Sequence, residues 1–582
     1  MTIKNSLQRL YPLLSSIVQT IRINKILVLI LLCIALYLPG ISSLPATDRD
    51  ESRYMQASKQ MLASGNMIDI RFQQESRHKK PVGIYWLQSG AANAAKALGI
   101  AATERSPYRL PSTLGATFSV LLLYLGFRKV IGDSQAFFAA VLLACSLLIA
   151  VEAHLAKTDA MLLATIVCMQ TGLAQLYCNT QKKHPWIPRL FFWLGLSLAM
   201  LIKGPVAPIL AFLTLGWICW KEGSLRPLRA IQPLPWLLVP LLVVGPWLLS
   251  IQLVSNGSYL QSSIGQDFFA KILQGQESHG APPGTYLLIT PLLLWPACWL
   301  LIPQGWVGLK SSTGKTIPAT QFMCGWLIPN WIFLELVPTK LPHYVLPLIP
   351  SLCLLAGVGI VESSKHQNSL IPVSKWPQKI GMATWAISGT VLAIAIPGLS
   401  FWSNGTITPA AILISLLCIA TLILASRITK PIDRLFITSL SAALTFGLIF
   451  EIFLPQLSRA WPAEHLRKLI DTHGLGKLPV SIMAYHEPSV VFNLGTDTNL
   501  TDFEGVVSHA KNNSDSIVIV PSDQTSALKQ RLEATCETRI LGKVEGVNYS
   551  KGRNMDLNII QCRLLNSPKA KITTSSKIRL ES

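Results

Sequence analysis

The sequence predicts a polytopic α-helical membrane protein that ends in a small α/β domain. Three observations predict it. Half of the 582 residues are hydrophobic and only 14% are charged, against roughly a quarter charged in a soluble domain. Apolar runs of about 20 residues, enough to cross a bilayer, recur between residues 24 and 454. Beyond residue 455 the apolar runs shorten and alternate with polar ones, as strands and amphipathic helices require.

The first 23 residues are basic (Lys4, Arg9, Arg22), and no small-residue cleavage site follows the first apolar run. Residues 24–44 are therefore expected to be a retained helix, not a cleaved signal peptide. Further spans are expected near 108–127, 134–153, 160–178, 188–203, 205–220, 233–254, 285–303, 320–337, 342–361, 382–399, 408–425 and 435–454, about thirteen in all. Basic groups follow every second span: Arg128/Lys129, Lys182/Lys183, Lys221/Arg226/Arg229, Lys310/Lys315, Lys365/Lys375/Lys379 and Arg427/Lys430/Arg434. The positive-inside rule makes those loops and the N-terminus cytoplasmic. The loops 45–107 and 255–284 and everything from 456 onward then face outward. The division expected is a transmembrane domain over 1–455 and a soluble domain over 456–582. The net charge of +21 belongs to the inner loops on this reading and does not point to nucleic acid.

In the C-terminal region, 480–485, 516–521, 537–547 and 554–564 read as strands, and 487–495 and 522–534 as helices. No glycine-rich phosphate loop opens a helix there. The tail after 567 reads as disordered. The eleven cysteines include no CxxC pair and no zinc spacing. Cys536 and Cys562 fall on the outward side, where they would form either a disulfide or two buried thiols.

Basic residues on the outward side break the charge rule and need another explanation. "ATDRDESRYMQ" (46–56) packs Asp48, Asp50, Glu51, Arg53 and Tyr54 just beyond the first span. An interfacial helix capped by Asp48 or Asp50, with Tyr54, Ala57, Met61 and Leu62 as its apolar stripe, accounts for one acid. It leaves the second acid and Arg53 unexplained. "RHKKPVGIYWLQ" (77–88) sets Lys80 before Pro81, in extended backbone. "AHLAKTDAMLLA" (153–164) holds His154, Lys157 and Asp159; "LIKGPVAP" (201–208) holds Lys203. "ELVPTKLPHYVLPLIP" (335–350) holds Lys340, His343 and Tyr344, and "QESHGAPPG" (276–284) holds Glu277 and His279. Taken singly, each has a plain explanation: a snorkelling lysine, an N-cap aspartate, an interfacial aromatic. Together they lie on one side of the membrane, and ionisable groups near membrane depth usually face one another or a cavity. Lysines, an arginine and acids converging there would suit a phosphate whose lipid tail lies between helices.

These motifs, in this order, resemble the ArnT-like polyprenyl-phosphate glycosyltransferases of the GT-C superfamily, relatives of the protein O-mannosyltransferases. The residues that carry the resemblance are Asp50-Glu51-x-Arg53-Tyr54, "MLASGN" (61–66), Lys80-Pro81 before Tyr85-Trp86, Lys203-Gly204-Pro205 and Lys340-Leu341-Pro342-x-Tyr344-x-x-Pro347. The resemblance covers roughly residues 24–361. It implies a GT-C bundle with an outward C-terminal domain in the bacterial inner membrane. It implies sugar transfer from an undecaprenyl-phosphate donor to lipid A or another envelope acceptor, on the periplasmic side. Carried over residue by residue, Asp50 and Asp159 are catalytic; Arg53, Lys80, Lys203, Lys340 and Tyr344 bind the donor phosphate; Glu51, Tyr54 and His279 complete the site. No nucleotide cofactor is implied. A divalent metal with His279 as ligand stays open, as does the acceptor. The aminoarabinose enzymes of that family commonly carry Glu before the Lys-Pro lysine, where this chain has Lys79. The expected partners are the lipid-linked donor, the acceptor and membrane lipids, with the chain a monomer. A protein O-glycosyltransferase of the same architecture and a lipid or solute transporter are the alternatives.

Overall fold

The computed structural model describes residues 24–565 except 102, 179–184, 264, 266–279, 311–316, 366–374 and 429. The chain is a multi-pass membrane protein. Among the described residues eight helices are long and apolar enough to span a bilayer, or up to ten if two sharply bent pairs each count as one span. The sequence leads us to expect about thirteen. Three expected spans do form helices but fall short by length or composition. α1 (Lys25–Tyr37) has 13 residues, and Val206–Glu222 has 17. Ile317–Leu336 is diluted by Gln321, Pro329 and Asn330.

Seven helices and a short hairpin position the site. α2 (Asp50–Ser64) and α3 (Gly83–Ala97) lie in the loop that follows α1, joined through a two-strand hairpin of β1 (Arg71–Phe72) and β2 (Glu75–Ser76). α4 (Ser106–Phe127) then crosses the membrane. α5 (Asp133–Ala144) and α6 (Leu147–Ala153) form one bent path with a 64° break, and α7 (Asp159–Cys178) and α8 (Trp186–Lys203) return as a hairpin. Small residues let these helices touch backbone to backbone, as is common in membranes. At Gly115 on α4 a side chain would sit 2.7 Å from the backbone of Met161 on α7. A substitution there would push apart the two helices whose ends frame the site.

The C-terminal region holds a five-stranded sheet in the order β4 (Asn499–Leu500), β3 (Val480–Ile482), β5 (Asp515–Pro521), β7 (Arg553–Leu564), β6 (Cys536–Asn548). β4, β3 and β5 run parallel; β7 and β6 form an antiparallel hairpin against β5. Each strand read from the sequence is present. So are the helices Pro488–Leu494 and Thr525–Leu532. Side chains alternate across the sheet, as period-2 backbone requires. Ile517 and Ile519 pack with Leu466 and Ile470 of the helix Pro462–Thr472, while Val518 and Val520 pack with Val506 and Leu528 on the other face. Cys536 and Cys562 are two free buried thiols in this second layer, the second of the two alternatives the sequence leaves open. The register explains it: Cys536 stands opposite Leu564 and Cys562 opposite Thr538. Diagonal positions leave the side chains too far apart for a bond made between directly paired residues. The tail after 567 lies outside the described residues.

The sheet domain rests on the loop after α1. Arg105 pairs with Glu464 at 2.5 Å. Gln56 donates to Thr496 Oγ1 at 2.8 Å, and Gln73 donates to the carbonyls of Thr496 and Thr498 at 3.0 and 2.7 Å.

Candidate functional site

α2 starts at Asp50. Its N-cap residue is Arg49, with positive φ and no capping side chain, so neither Asp48 nor Asp50 caps it as expected. Freed from capping, Asp50 shares a helix face with Arg53 and Tyr54, three and four residues on. The Asp50 side chain is 57% exposed, and an Arg53 Nη lies 4.0 Å from its carboxylate. Tyr54 is buried, with its ring 5.3 Å from that of Tyr85 on α3. Arg77 closes this side. Its guanidinium lies 5.4 Å over the Tyr54 ring, and its Nε donates to Tyr85 Oη at 3.3 Å. Two tyrosines thus hold the arginine by its face and one edge. Among the described residues it makes no ion pair, so its remaining fork is not spent on a carboxylate.

The other wall is made of helix ends. α7 begins at Asp159, and α8 ends at Lys203, whose ammonium donates to Asp159 Oδ1 at 2.5 Å. His343 Nε2 stands 3.9 Å from the same oxygen, and the His343 ring meets Tyr344 edge-on at 5.0 Å. Lys203 also lies over the Tyr344 ring at 5.3 Å. Lys157, in the turn before α7, donates to Glu152 Oε1 at 2.9 Å, while Glu152 Oε2 is buried with no partner among the described residues. Glycine brings Lys80 to this wall. A side chain at Gly83 would sit 2.7 Å from the Leu201 carbonyl, and one at Gly204 would sit 4.0 Å from the Pro81 ring. Lys80-Pro81 and Lys203-Gly204 are therefore packed side by side. Those glycines in "KPVG" and "KGP" are a signal the sequence carries openly.

The electrostatics follow from this crowding. Enclosure in the cleft works to raise the Asp50 carboxyl, but Arg77, Lys157, Arg53 and His343 outweigh it and hold it below the usual carboxylate range. Burial works against charge on Lys157, yet Glu152 and Asp159 outweigh it and keep it an ammonium. The cleft thus presents an ionised Asp50 among cations that come from segments far apart in the chain.

Other expected site residues sit elsewhere. Glu51, adjacent to Asp50, leaves the helix about 100° round from it and enters a sealed pair with Arg109, both side chains fully buried. Arg109 Nε and an Nη reach the carboxylate at 2.8 and 3.1 Å, and the guanidinium also donates to the carbonyls of Ile41, Leu44 and Pro45. Thr47 and the Ala156 amide supply the remaining donors to Glu51. Lys340 is 8% exposed and donates to the carbonyls of Leu334, Glu335 and Val337, closing the C-terminal end of helix Ile317–Leu336. Its donors are engaged there, which separates it from the cluster it was expected to join. His154 bridges the carbonyls of Ala150 and Pro39 and stacks on Phe450. His279 lies outside the described residues. Among the described residues no group of three His, Cys, Asp or Glu side chains is placed to hold a metal. Lys79 puts a cation where an acidic ligand would be wanted. Arg77, Lys157 and His343 stand in motifs read from the sequence, but only the structure gathers them round Asp50. Glu152 and Arg109 had one available signal, an ionisable residue inside an apolar helix.

Residues 22–249 match the family Dolichyl-phosphate-mannose-protein mannosyltransferase. Over 327 residues the chain is 30% identical to the undecaprenyl phosphate-alpha-4-amino-4-deoxy-L-arabinose arabinosyl transferase of Pseudomonas savastanoi pv. phaseolicola, covering 54% of this chain and 57% of that protein. A second transferase of the same name, from Pseudomonas fluorescens Pf-5, is 26% identical over 445 residues, covering 73% of this chain and 72% of that protein. The chain thus spans somewhat under two thirds of the first curated relatives it matches, 57% and 60%. In fold it is similar to the crystal structure of ArnT from Cupriavidus metallidurans bound to undecaprenyl phosphate. That match has a TM-score of 0.73 at 16% identity, over 92% of this chain and 97% of that one. In sequence the chain is similar to these arabinosyl transferases, and in fold to the ArnT crystal structure.

Proposed function

We propose, from this ArnT-like sequence and GT-C fold, that the chain is an integral-membrane glycosyltransferase. It moves a sugar from an undecaprenyl-phosphate donor to lipid A or another envelope glycolipid. The N-terminus is cytoplasmic, and the cleft and C-terminal domain are periplasmic. The observation that carries the reading is the gathering of Asp50, Arg53, Arg77, Lys157, Asp159, Lys203, His343 and Tyr344 at one end of the bundle.

In the reaction the acceptor oxygen bonds to the anomeric carbon as the bond from that carbon to the phosphate oxygen breaks. The electron pair leaves with the lipid phosphate, which gains a negative charge. Fixed cations at a partly enclosed site stabilise that charge more than water would. Lys80, Lys203, Arg53 and Arg77 are the groups for it, with Tyr344 beside Lys203. Asp159 holds the Lys203 ammonium in place. Asp50, kept ionised by its neighbours, accepts the proton of a hydroxyl acceptor. Toward a phosphate acceptor it would orient the attacking group. A single displacement inverts the anomeric carbon.

In a purified assay with lipid-linked donor, Asp50→Asn and Lys80→Ala are expected to abolish transfer in a protein that still inserts and folds. Wild-type turnover in either variant would remove that residue from the site. The family match over 22–249 favours one second reading, transfer to a protein hydroxyl. Mass spectrometry of lipid A and of envelope proteins, with and without the gene, separates the two. Loss of a sugar from neither would overturn both.

A further inference from the structure

The C-terminal domain meets the membrane region at the residues that lead into Asp50. The Asp48 amide donates to Tyr549 Oη at 2.5 Å. The Asp48 carboxylate accepts from Tyr485 Oη at 3.1 and 3.2 Å and from Ser489 Oγ. The Arg49 guanidinium donates to the Ser550 carbonyl at 2.9 Å. Tyr549 and Ser550 belong to the turn between β6 and β7; Tyr485 and Ser489 flank the start of helix Pro488–Leu494. The Asn548 side chain donates to Glu487 Oε1 at 3.0 Å and ties these two segments together. Asp48, Tyr485 and Ser489 are all buried.

Arg49 sits between Asp48 and Asp50 with φ 63° and ψ −112°. A side chain makes that backbone costly, and only glycine adopts it readily. No glycine occupies the turn, and no side chain caps α2 there. Such a conformation persists only where its surroundings over-determine it. Thr47, just before the turn, is held from within its own domain by Glu51 and Ser52; Asp48 and Arg49 themselves are gripped by Tyr485, Ser489, Tyr549 and Ser550 of the other domain. Because α2 is a rigid helix, the turn at Arg49 sets the direction in which Asp50 and Arg53 enter the cleft.

We propose that Tyr485, Ser489 and Tyr549 are positioning residues: the C-terminal domain holds the strained Asp48–Arg49 turn and thereby aims Asp50 at the reacting sugar. The catalytic half of this inference rests on the transferase reading above. The domain's other bonds to the loop, such as Arg105–Glu464, dock it without touching the turn and serve as a control.

The test uses the full-length protein in lipid nanodiscs. Tyr485→Phe with Ser489→Ala removes both side-chain donors to Asp48 while keeping the buried volume nearly intact. The kcat is expected to fall about tenfold at unchanged KM for donor, the pattern of lost orientation. Amide hydrogen exchange over residues 48–53 is expected to accelerate about tenfold, with α7 and α8 unchanged. Tyr549→Phe, at a half-exposed ring that tolerates the change, is expected to move both readouts the same way by a few-fold. Glu464→Gln is expected to move neither. Unchanged exchange over 48–53 in the double variant overturns the proposal. So does faster exchange with wild-type kcat, or a Glu464→Gln effect as large as that of the double variant. A wild-type protein that transfers no sugar overturns the transferase reading instead, and the exchange comparison still decides whether the domain holds the turn.

Discussion

One short stretch, 47–53, feeds two charged regions with opposite behaviour. In the first, Glu51 and Arg109 are both fully buried and saturated by fixed partners within the protein. In the second, Asp50 opens into the cleft with an Arg53 Nη 4.0 Å from its carboxylate, and Arg77 makes no ion pair among the described residues. The knot ties the loop after α1 to α4 and to the turn before α7. The cleft holds charges brought together from segments far apart in the chain, with Asp50 partly exposed. A buried charge with every partner in place supports structure; removing one partner strands the other at a large cost. Partly satisfied charges held by rigid neighbours are suited to a ligand.

Substitutions can break this comparison or sharpen it. The largest effects are expected where the two regions touch. Asp50→Asn should lower transfer on the order of a thousandfold, the scale of a lost general base, with the melting temperature unchanged. Glu51→Ala should do the reverse, costing about 3–5 kcal/mol of stability by stranding the Arg109 charge. Thermal unfolding in detergent reads it as a clear fall in Tm. If Glu51→Ala melts like wild type and loses only activity, the two carboxylates are not divided as described.

Asp48 should make the docked arrangement sensitive to pH. Burial, helped by nearby Glu487, pushes its carboxyl from the ordinary 3.8 up to about 6, against the pull of Ser489, Tyr485 and Arg49; Tyr549 also lies against it. A raised carboxyl favours the docked form while protonated. That stabilisation is complete below about pH 4 and is lost as pH rises through about 6. The loss amounts to at most on the order of 3 kcal/mol for a shift of about two units. Hydrogen exchange over 48–53 should therefore quicken between pH 4.5 and 6.5, and Asp48→Asn should flatten that slope. An identical slope in Asp48→Asn would assign the effect to another group.

Arg77→Gln should weaken binding of undecaprenyl phosphate by about ten- to a hundredfold, the range of a charged hydrogen bond. Arg77→Lys should recover little, because a lysine cannot both face Tyr54 and present a fork. Scintillation or calorimetric titration reads the difference. The smallest effect is expected at Lys340. Lys340→Met should cost about 1 kcal/mol through the helix-end carbonyls and leave donor affinity unchanged. A loss of donor affinity with wild-type Tm would return Lys340 to the phosphate site.

The separate segments of the site were legible because charge is expensive in an apolar chain. Acids and lysines at the outer ends of spans stand out, as Asp50, Lys80, Asp159 and Lys203 did. What each side chain touches was not legible. Asp50 and Glu51 are consecutive acids with the same propensities, and helical geometry sends them about 100° apart. Lys203 and Lys340 both sit in turns near proline, yet one meets Asp159 and the other its own helix end. The strained backbone at Arg49 carries no sequence mark, because glycine, which would have announced it, is absent.

By itself the sequence determined the membrane class, the order of the spans, the alternation that builds the C-terminal sheet and which segments hold chemistry. Those properties follow from local periodicity and from transfer costs that act residue by residue. Only the tertiary structure decided that Arg77 and His343 stand around Asp50, that Glu51 and Lys340 are withdrawn, that Cys536 and Cys562 stay apart, and that a distant domain grips the turn before Asp50. Each of these is a contact between segments remote in the chain, set by how helices and strands pack and not by any one segment's composition.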